Sequence, residues 1–250
     1  MKKIACSFSD ESLKVHSAKS VEYGVDKFFS FQPSYVKVCV ERLNFVYKFN
    51  PSLTPELFKE LCKIACYLHD SGKAANIYQV QFMEGCKCKK DPSFAYHEVL
   101  SALVVHRYFE KAHFSEKLKT LTTFAVLNHM HAVRPYTNKD KVIGELKRRS
   151  INFDKRLGDP FAFNLIDIDE YIKNSPIPMS GLYECFEKAI TLMEISEFLG
   201  KMERVVTYEN KLYTYILTPI VVGDNLAASE RQEGGARQVF KRELMELIQK

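Results

Sequence analysis

Thr54-Pro55-Glu56-Leu57-Phe58-Lys59-Glu60-Leu61-Cys62-Lys63-Ile64-Ala65-Cys66-Tyr67-Leu68-His69-Asp70-Ser71-Gly72-Lys73 reads as a helix with a marked start, a marked stop and chemistry at its end. Threonine caps helices, and a proline in the first turn loses nothing, because its missing N–H would have no helical partner there. Leu57, Leu61, Ile64 and Leu68 recur at helical spacing and form one apolar stripe, and Gly72 supplies the stop. That stripe runs straight into His69-Asp70. An adjacent imidazole and carboxylate make a poor core pair and a good cation pair. Neighbouring helical residues point about 100° apart, so the two can flank one ion, or the carboxylate can reach a second.

Outward from this segment the pattern stays helical. Ser9 is a cap candidate for a helix through Leu13, His16 and Val21, and Tyr35 to Phe49 carries Val36, Val40, Leu43 and Val46 at helical spacing. Helices are expected over Tyr96–Glu110, with His97 in the first turn, over Glu116–His131, closed by Arg134-Pro135, and over the charged Lys139–Arg149. Ser150 to Met179, interrupted by prolines, reads as irregular. Tyr183–Met202 reads as one long helix, and Val205–Ile216 as a short β-hairpin turning at Glu209-Asn210-Lys211. Thr218-Pro219 opens a helix carrying Asp224, Gly234-Gly235 ends it, and Val239–Ile248 is a last amphipathic helix. Without repeats or a composition break, residues 1–250 read as one all-α domain, a helical bundle with a small β-hairpin near 205–216.

An apolar fraction of 46% is ample for a buried core, and a net charge of +5 permits contact with a phosphate backbone without demanding it. The seven cysteines, an odd number partly inside apolar helical patterns, argue against a disulfide framework and for a reducing cytosol. Cys62 and Cys66 look like small core residues, and Cys86-x-Cys88 lacks the second pair that a zinc site usually needs. No signal peptide is visible after Met1-Lys2-Lys3, and no apolar run approaches the ~20 residues of a membrane span. The expected location is cytoplasmic, with no membrane partner.

There are seven histidines, and a lone helical histidine is more often a satisfied core or surface residue than a ligand. His16, His69, His97 and His129, however, each sit in an apolar setting on a different helix, and bundles build metal sites from inward side chains of facing helices. His97 and Ser101 lie one turn apart on a shared face. His129 and His131 would point about 200° apart on an unbroken helix, so both can serve one centre only if the helix ends between them. His106 and His113 look like surface residues.

The ordered set His16, His69-Asp70, His97, His129/His131, Asp224 resembles the HD superfamily of metal-dependent phosphohydrolases. More narrowly, His69-Asp70-Ser71-Gly72-Lys73, His97-Glu98-Val99-Leu100-Ser101-Ala102 and Gly223-Asp224-Asn225-Leu226-Ala227-Ala228-Ser229 resemble the HD nuclease of type I CRISPR interference. The chain carries no phosphate-binding Gly-x-x-x-x-Gly-Lys-Ser/Thr loop, so it looks like the form that works beside a separate helicase subunit. The resemblance implies an HD helical bundle and a nuclease acting on single-stranded DNA, with RNA open as a second substrate. Two divalent ions are implied, drawn from Mn, Ni, Co, Fe or Mg. One would be held by His16, His69, Asp70 and Asp224. Asp70 would bridge to a second on His97 with His129 and/or His131. Lys73 would face the scissile phosphate, and Ser101 and Ser229 would line the substrate site. The implied partners are single-stranded DNA, the helicase and an RNA-guided surveillance complex. The basic groups Lys87, Lys89 and Lys90, and Lys147-Arg148-Arg149, could track the strand. A nucleotide or cyclic-nucleotide phosphohydrolase of the same superfamily is the competing reading.

Overall fold

The computed structural model describes residues 4–130, 139–177, 181–205 and 209–231. The chain starts with a two-stranded antiparallel hairpin, β1 (Cys6–Phe8) and β2 (Glu11–Ser12). Ser12, rather than Ser9, caps α1 (Leu13–Val21), its side chain accepting from the Val15 N–H. The chain then winds through a π-helical segment, Glu22–Lys27, into α2 (Phe28–Phe31), and α3 (Pro33–Tyr47) follows. Next comes α4 (Pro55–Leu68), capped by the Thr54 side chain on Leu57 N. Every residue from Ile64 to Leu68 is buried, because α1, α3, α6 (His97–Lys111), α7 (Glu116–Leu127) and α12 (Thr214–Ser229) surround this helix. Burying a leucine such as Leu61 is worth roughly 2 kcal/mol. Cys62 and Cys66 are among these core residues.

A short α5 (Asn76–Gln79) precedes α6, and α8 (Lys139–Ile151), α9 (Leu165–Lys173), α10 (Leu182–Glu187) and α11 (Leu192–Val205) complete the bundle. The fold is all-α apart from the hairpin. Within Ser150–Met179 the expected irregular stretch contains α9, capped by Asn164 on Ile166 N. Tyr67 and Tyr171 dock it: each hydroxyl donates to the other's backbone carbonyl, at 2.6 and 2.7 Å, and the rings stack at 4.7 Å.

Three expectations need correction. The long helix at Tyr183–Met202 is two, α10 and α11, broken at Lys188–Thr191. The hairpin expected near 205–216 is absent from its described part, where a 3-10 turn (Glu209–Tyr213) feeds α12. A run of aromatic and β-branched residues suits a helix lying on other helices as well as a strand, and here Leu212, Tyr213 and Tyr215 pack half-buried against the core beside buried Ile216. Pro219 therefore lies inside α12 rather than at its start. Finally, Cys6 and Cys86 form a disulfide across 80 residues, leaving Cys39, Cys62, Cys66, Cys88 and Cys185 as free thiols. The stretch containing Gly234-Gly235 and Val239–Ile248 lies outside the described residues.

Candidate metal centre

Five segments converge at one end of α4. His16 comes from α1, His69 and Asp70 from the end of α4, His97 from the first position of α6, His129 from just beyond α7, and Asp224 from α12. All are buried except Asp224, which is partly so. Asp70 sits in the middle. Its Oδ1 lies 2.8 Å from His97 Nε2 and 3.6 Å from His129 Nε2. Its Oδ2 lies 3.2 Å from His16 Nε2 and 3.5 Å from His69 Nε2. Asp224 Oδ1 is 3.1 Å from His16 Nε2 and 3.7 Å from His69 Nε2. Two glycines allow this convergence. A β-carbon at Gly223 would collide with the Ser20 carbonyl, and one at Gly72 with the His97 carbonyl, so α12 could not close on α1, nor the 3-10 turn Ser71–Ala74 on α6.

The ring orientations follow from where the helices stop. Helix-end carbonyls have no helical donor left to accept from. His69, the C-cap residue of α4, places Nδ1 2.8 Å from the Cys66 carbonyl, and His129 places Nδ1 2.6 Å from that of Val126. His97, at the start of α6, places Nδ1 2.7 Å from the Phe94 carbonyl, which also accepts the His97 N–H. With Nδ1 turned to a carbonyl, each ring aims Nε2 at the centre, the arrangement that metal-binding imidazoles need.

The electrostatics match a cation site. Burial alone would raise Asp70 and Asp224, but the histidines around both and Lys73 beside Asp70 hold these carboxylates well below the usual range. Burial lowers His97 despite Asp70, whereas at His129 the Asp70 carboxylate outweighs burial and raises it. His69 Nε2 and His129 Nε2 are buried without a hydrogen-bond partner. Such orphaned nitrogens cost stability, and a cation would satisfy them. The ligand atoms of His16, His69, Asp70 and Asp224 lie within 4.8 Å of one another, as do those of Asp70, His97 and His129. This nitrogen-rich set with carboxylates fits Mn²⁺, Fe²⁺, Co²⁺, Ni²⁺ or Zn²⁺ better than Mg²⁺.

Lys73 Nζ lies 2.6 Å from Asp70 Oδ2 and 5.0 Å from the Phe94 ring centroid. Ser101 and Ser229, expected as substrate contacts, lie inside the fold. Both are buried, Ser101 Oγ accepting from Gly72 N–H and donating to the His97 carbonyl, and Ser229 Oγ donating to that of Leu226. His131 lies outside the described residues. Sequence reasoning missed Glu11, whose Oε2 is 3.3 Å from His16 Nδ1. It stands in the polar stretch Ser9-Asp10-Glu11, where no local pattern marks it.

A helical bundle that gathers a His-Asp pair, histidines from three further segments and a late aspartate defines an HD-domain protein. Over 245 residues the chain is 30% identical to the CRISPR-associated endonuclease Cas3-HD of Saccharolobus solfataricus, covering 95% of this chain and 93% of that one. The chain belongs to that family, the CRISPR-associated Cas3-HD nucleases. The CRISPR-associated Cas3 HD domain protein of Methanocaldococcus jannaschii shares the fold, with a TM-score of 0.58 at 19% identity over 89% of this chain and 99% of that one. No protein-family model matches the sequence.

Proposed function

We propose that the chain is a metal-dependent nuclease that hydrolyses phosphodiester bonds of single-stranded DNA in CRISPR antiviral defence. A separate helicase and an RNA-guided surveillance complex would present the unwound strand. The observation that carries this reading is the division of Asp70, whose two carboxylate oxygens face different histidines. Asp70 would serve both groups of ligands, with His16, His69 and Asp224 on one side and His97 and His129 on the other. Two divalent cations held there would acidify a shared water and spread the charge of an in-line displacement. Lys73, whose ammonium pairs with Asp70, would meet the scissile phosphate. Lys87, Lys89 and Lys90 are exposed, as phosphate contacts require. Arg148 and Arg149 are less free, since both pair with Glu145. Arg149 also donates to Ser93 Oγ at 2.8 Å.

The test is incubation of the purified protein with Mn²⁺ and labelled single-stranded DNA, alongside single-stranded RNA and a nucleotide panel. Cleavage of DNA that stops on chelation is expected. Intact DNA beside a hydrolysed nucleotide would replace this reading with the phosphohydrolase one.

A further inference from the structure

His16 differs from the other three histidines in one respect. They sit at helix ends and turn Nδ1 to the backbone carbonyl three residues earlier in the chain. His16 lies inside α1, where the carbonyls of the preceding turn are engaged along the helix, so no such acceptor is within its own element. The Glu11 carboxylate of β2 instead lies 3.3 Å from its Nδ1, an ion-pair distance, and Nδ1 has no other partner among the described residues. Both groups are buried, His16 at 0% and Glu11 at 7% exposure. Glu11 is itself held in place. Ser7 Oγ donates to Glu11 Oε2 at 2.9 Å, and Arg231 Nη1 approaches the same oxygen at 3.2 Å while its guanidinium lies 4.8 Å from the Phe8 ring centroid.

We propose that Glu11 is a positioning residue of the metal centre. Its carboxylate accepts the His16 Nδ1 proton, fixes the tautomer that offers Nε2, and sets the ring for the ion shared by His16, His69, Asp70 and Asp224. The inference rests on the metal site proposed above. A buried carboxylate behind a ligating imidazole is a recognised way of strengthening a metal site, and its removal typically costs about 10- to 100-fold in affinity. Ser7 and Arg231 hold Glu11 from two sides, so the small hairpin acts as the mount for one ligand.

The experiment uses Co²⁺ as probe, with equilibrium dialysis, elemental analysis and visible absorption on the full chain and on Glu11→Ala, Glu11→Gln and Ser7→Ala. The melting temperature of each metal-free protein is recorded as well. Glu11→Ala is expected to weaken one Co²⁺ by about 10- to 100-fold and alter its absorption band, with the second Co²⁺ unaffected. Glu11→Gln keeps an acceptor oxygen and should recover part of the loss, and Ser7→Ala should show a smaller one. If Glu11→Ala does not fold, the other two variants carry the comparison. Parental affinity and spectrum in Glu11→Ala overturn the proposal. So does equal weakening of both ions with a lowered metal-free melting temperature, the result of a purely structural role. A parent protein that binds no Co²⁺ removes the metal site itself and the proposal with it.

Discussion

At Asp70 two groups of imidazole nitrogens meet one carboxylate, so this side chain is where a single-atom change should do most harm. Asp70→Asn keeps the volume but loses the charge and one acceptor oxygen. The expected result is loss of at least one bound ion and a fall in cleavage of at least about 1,000-fold. Metal content and single-turnover rate measure both, and parental cleavage would take Asp70 out of the mechanism. His16 carries the clearest pH dependence. Burial favours its neutral form, but Asp224, Asp70 and Glu11 outweigh that and push the pKa up to about 10 in the metal-free protein. A proton held there competes with a cation, so Mn²⁺ binding near neutral pH should release it, and affinity should climb as pH rises toward 10. Calorimetric titration in two buffers of different ionisation heat counts the released proton; heats independent of buffer would contradict this. The same raised value stabilises the metal-free fold fully below about 6.5, the unfolded value, and that contribution fades as pH passes through the folded one.

Between elements, α12 shows how a mismatch of local rules is repaired by a neighbour. Pro219 has no N–H for the Tyr215 carbonyl one turn back, and the Tyr35 hydroxyl of α3 donates to that carbonyl at 3.0 Å instead. Tyr35→Phe should therefore cost about 1–3 kcal/mol by urea unfolding, and clearly less in a Pro219→Ala background, where the helical N–H is restored. Equal costs in the two backgrounds would rule out the repair. The α6–α11 contact carries a second pH effect. His106, expected at the surface, is largely covered, with its ring centroid 5.7 Å from that of Phe198. Burial, helped by Lys119 and Lys201 against the pull of Glu110, lowers its pKa to about 4. Stability should then be full above about 6.5 and decline as pH falls toward 4, and His106→Gln should flatten that limb of the melting-temperature profile. These cases mark what could be read from the chain. α4 was legible because cap, proline, stripe and stop are all local, and the gathered histidines stood out because imidazoles are unusual in apolar helical runs. Segment 209–216 was not, since aromatic and β-branched residues take their conformation from the surface that buries them. Glu11 was hidden because its importance comes from a ring five residues along the chain and an arginine at the end of α12.

Over the whole molecule, buried side chains from Ala5 to Leu226 join one apolar cluster, and no described helix is long and apolar enough to cross a membrane. The disulfide is the long-range fastening that an odd cysteine count concealed. Closing a loop of 80 residues, it should add about 2–4 kcal/mol, seen as the difference in urea midpoint between Cys6→Ser/Cys86→Ser and the parent under non-reducing conditions. Equal midpoints would show that it contributes nothing to stability. It also divides the ligands. His16, His69 and Asp70 lie inside the covalent ring closed by Cys6 and Cys86, whereas His97, His129 and Asp224 lie outside it. If the later helices loosen, the three enclosed ligands stay tethered at high effective concentration, while the others are tied to them only by folding. The proposed centre would in that sense be a chelator assembled in two instalments, one covalent and lasting, the other renewed each time the bundle closes.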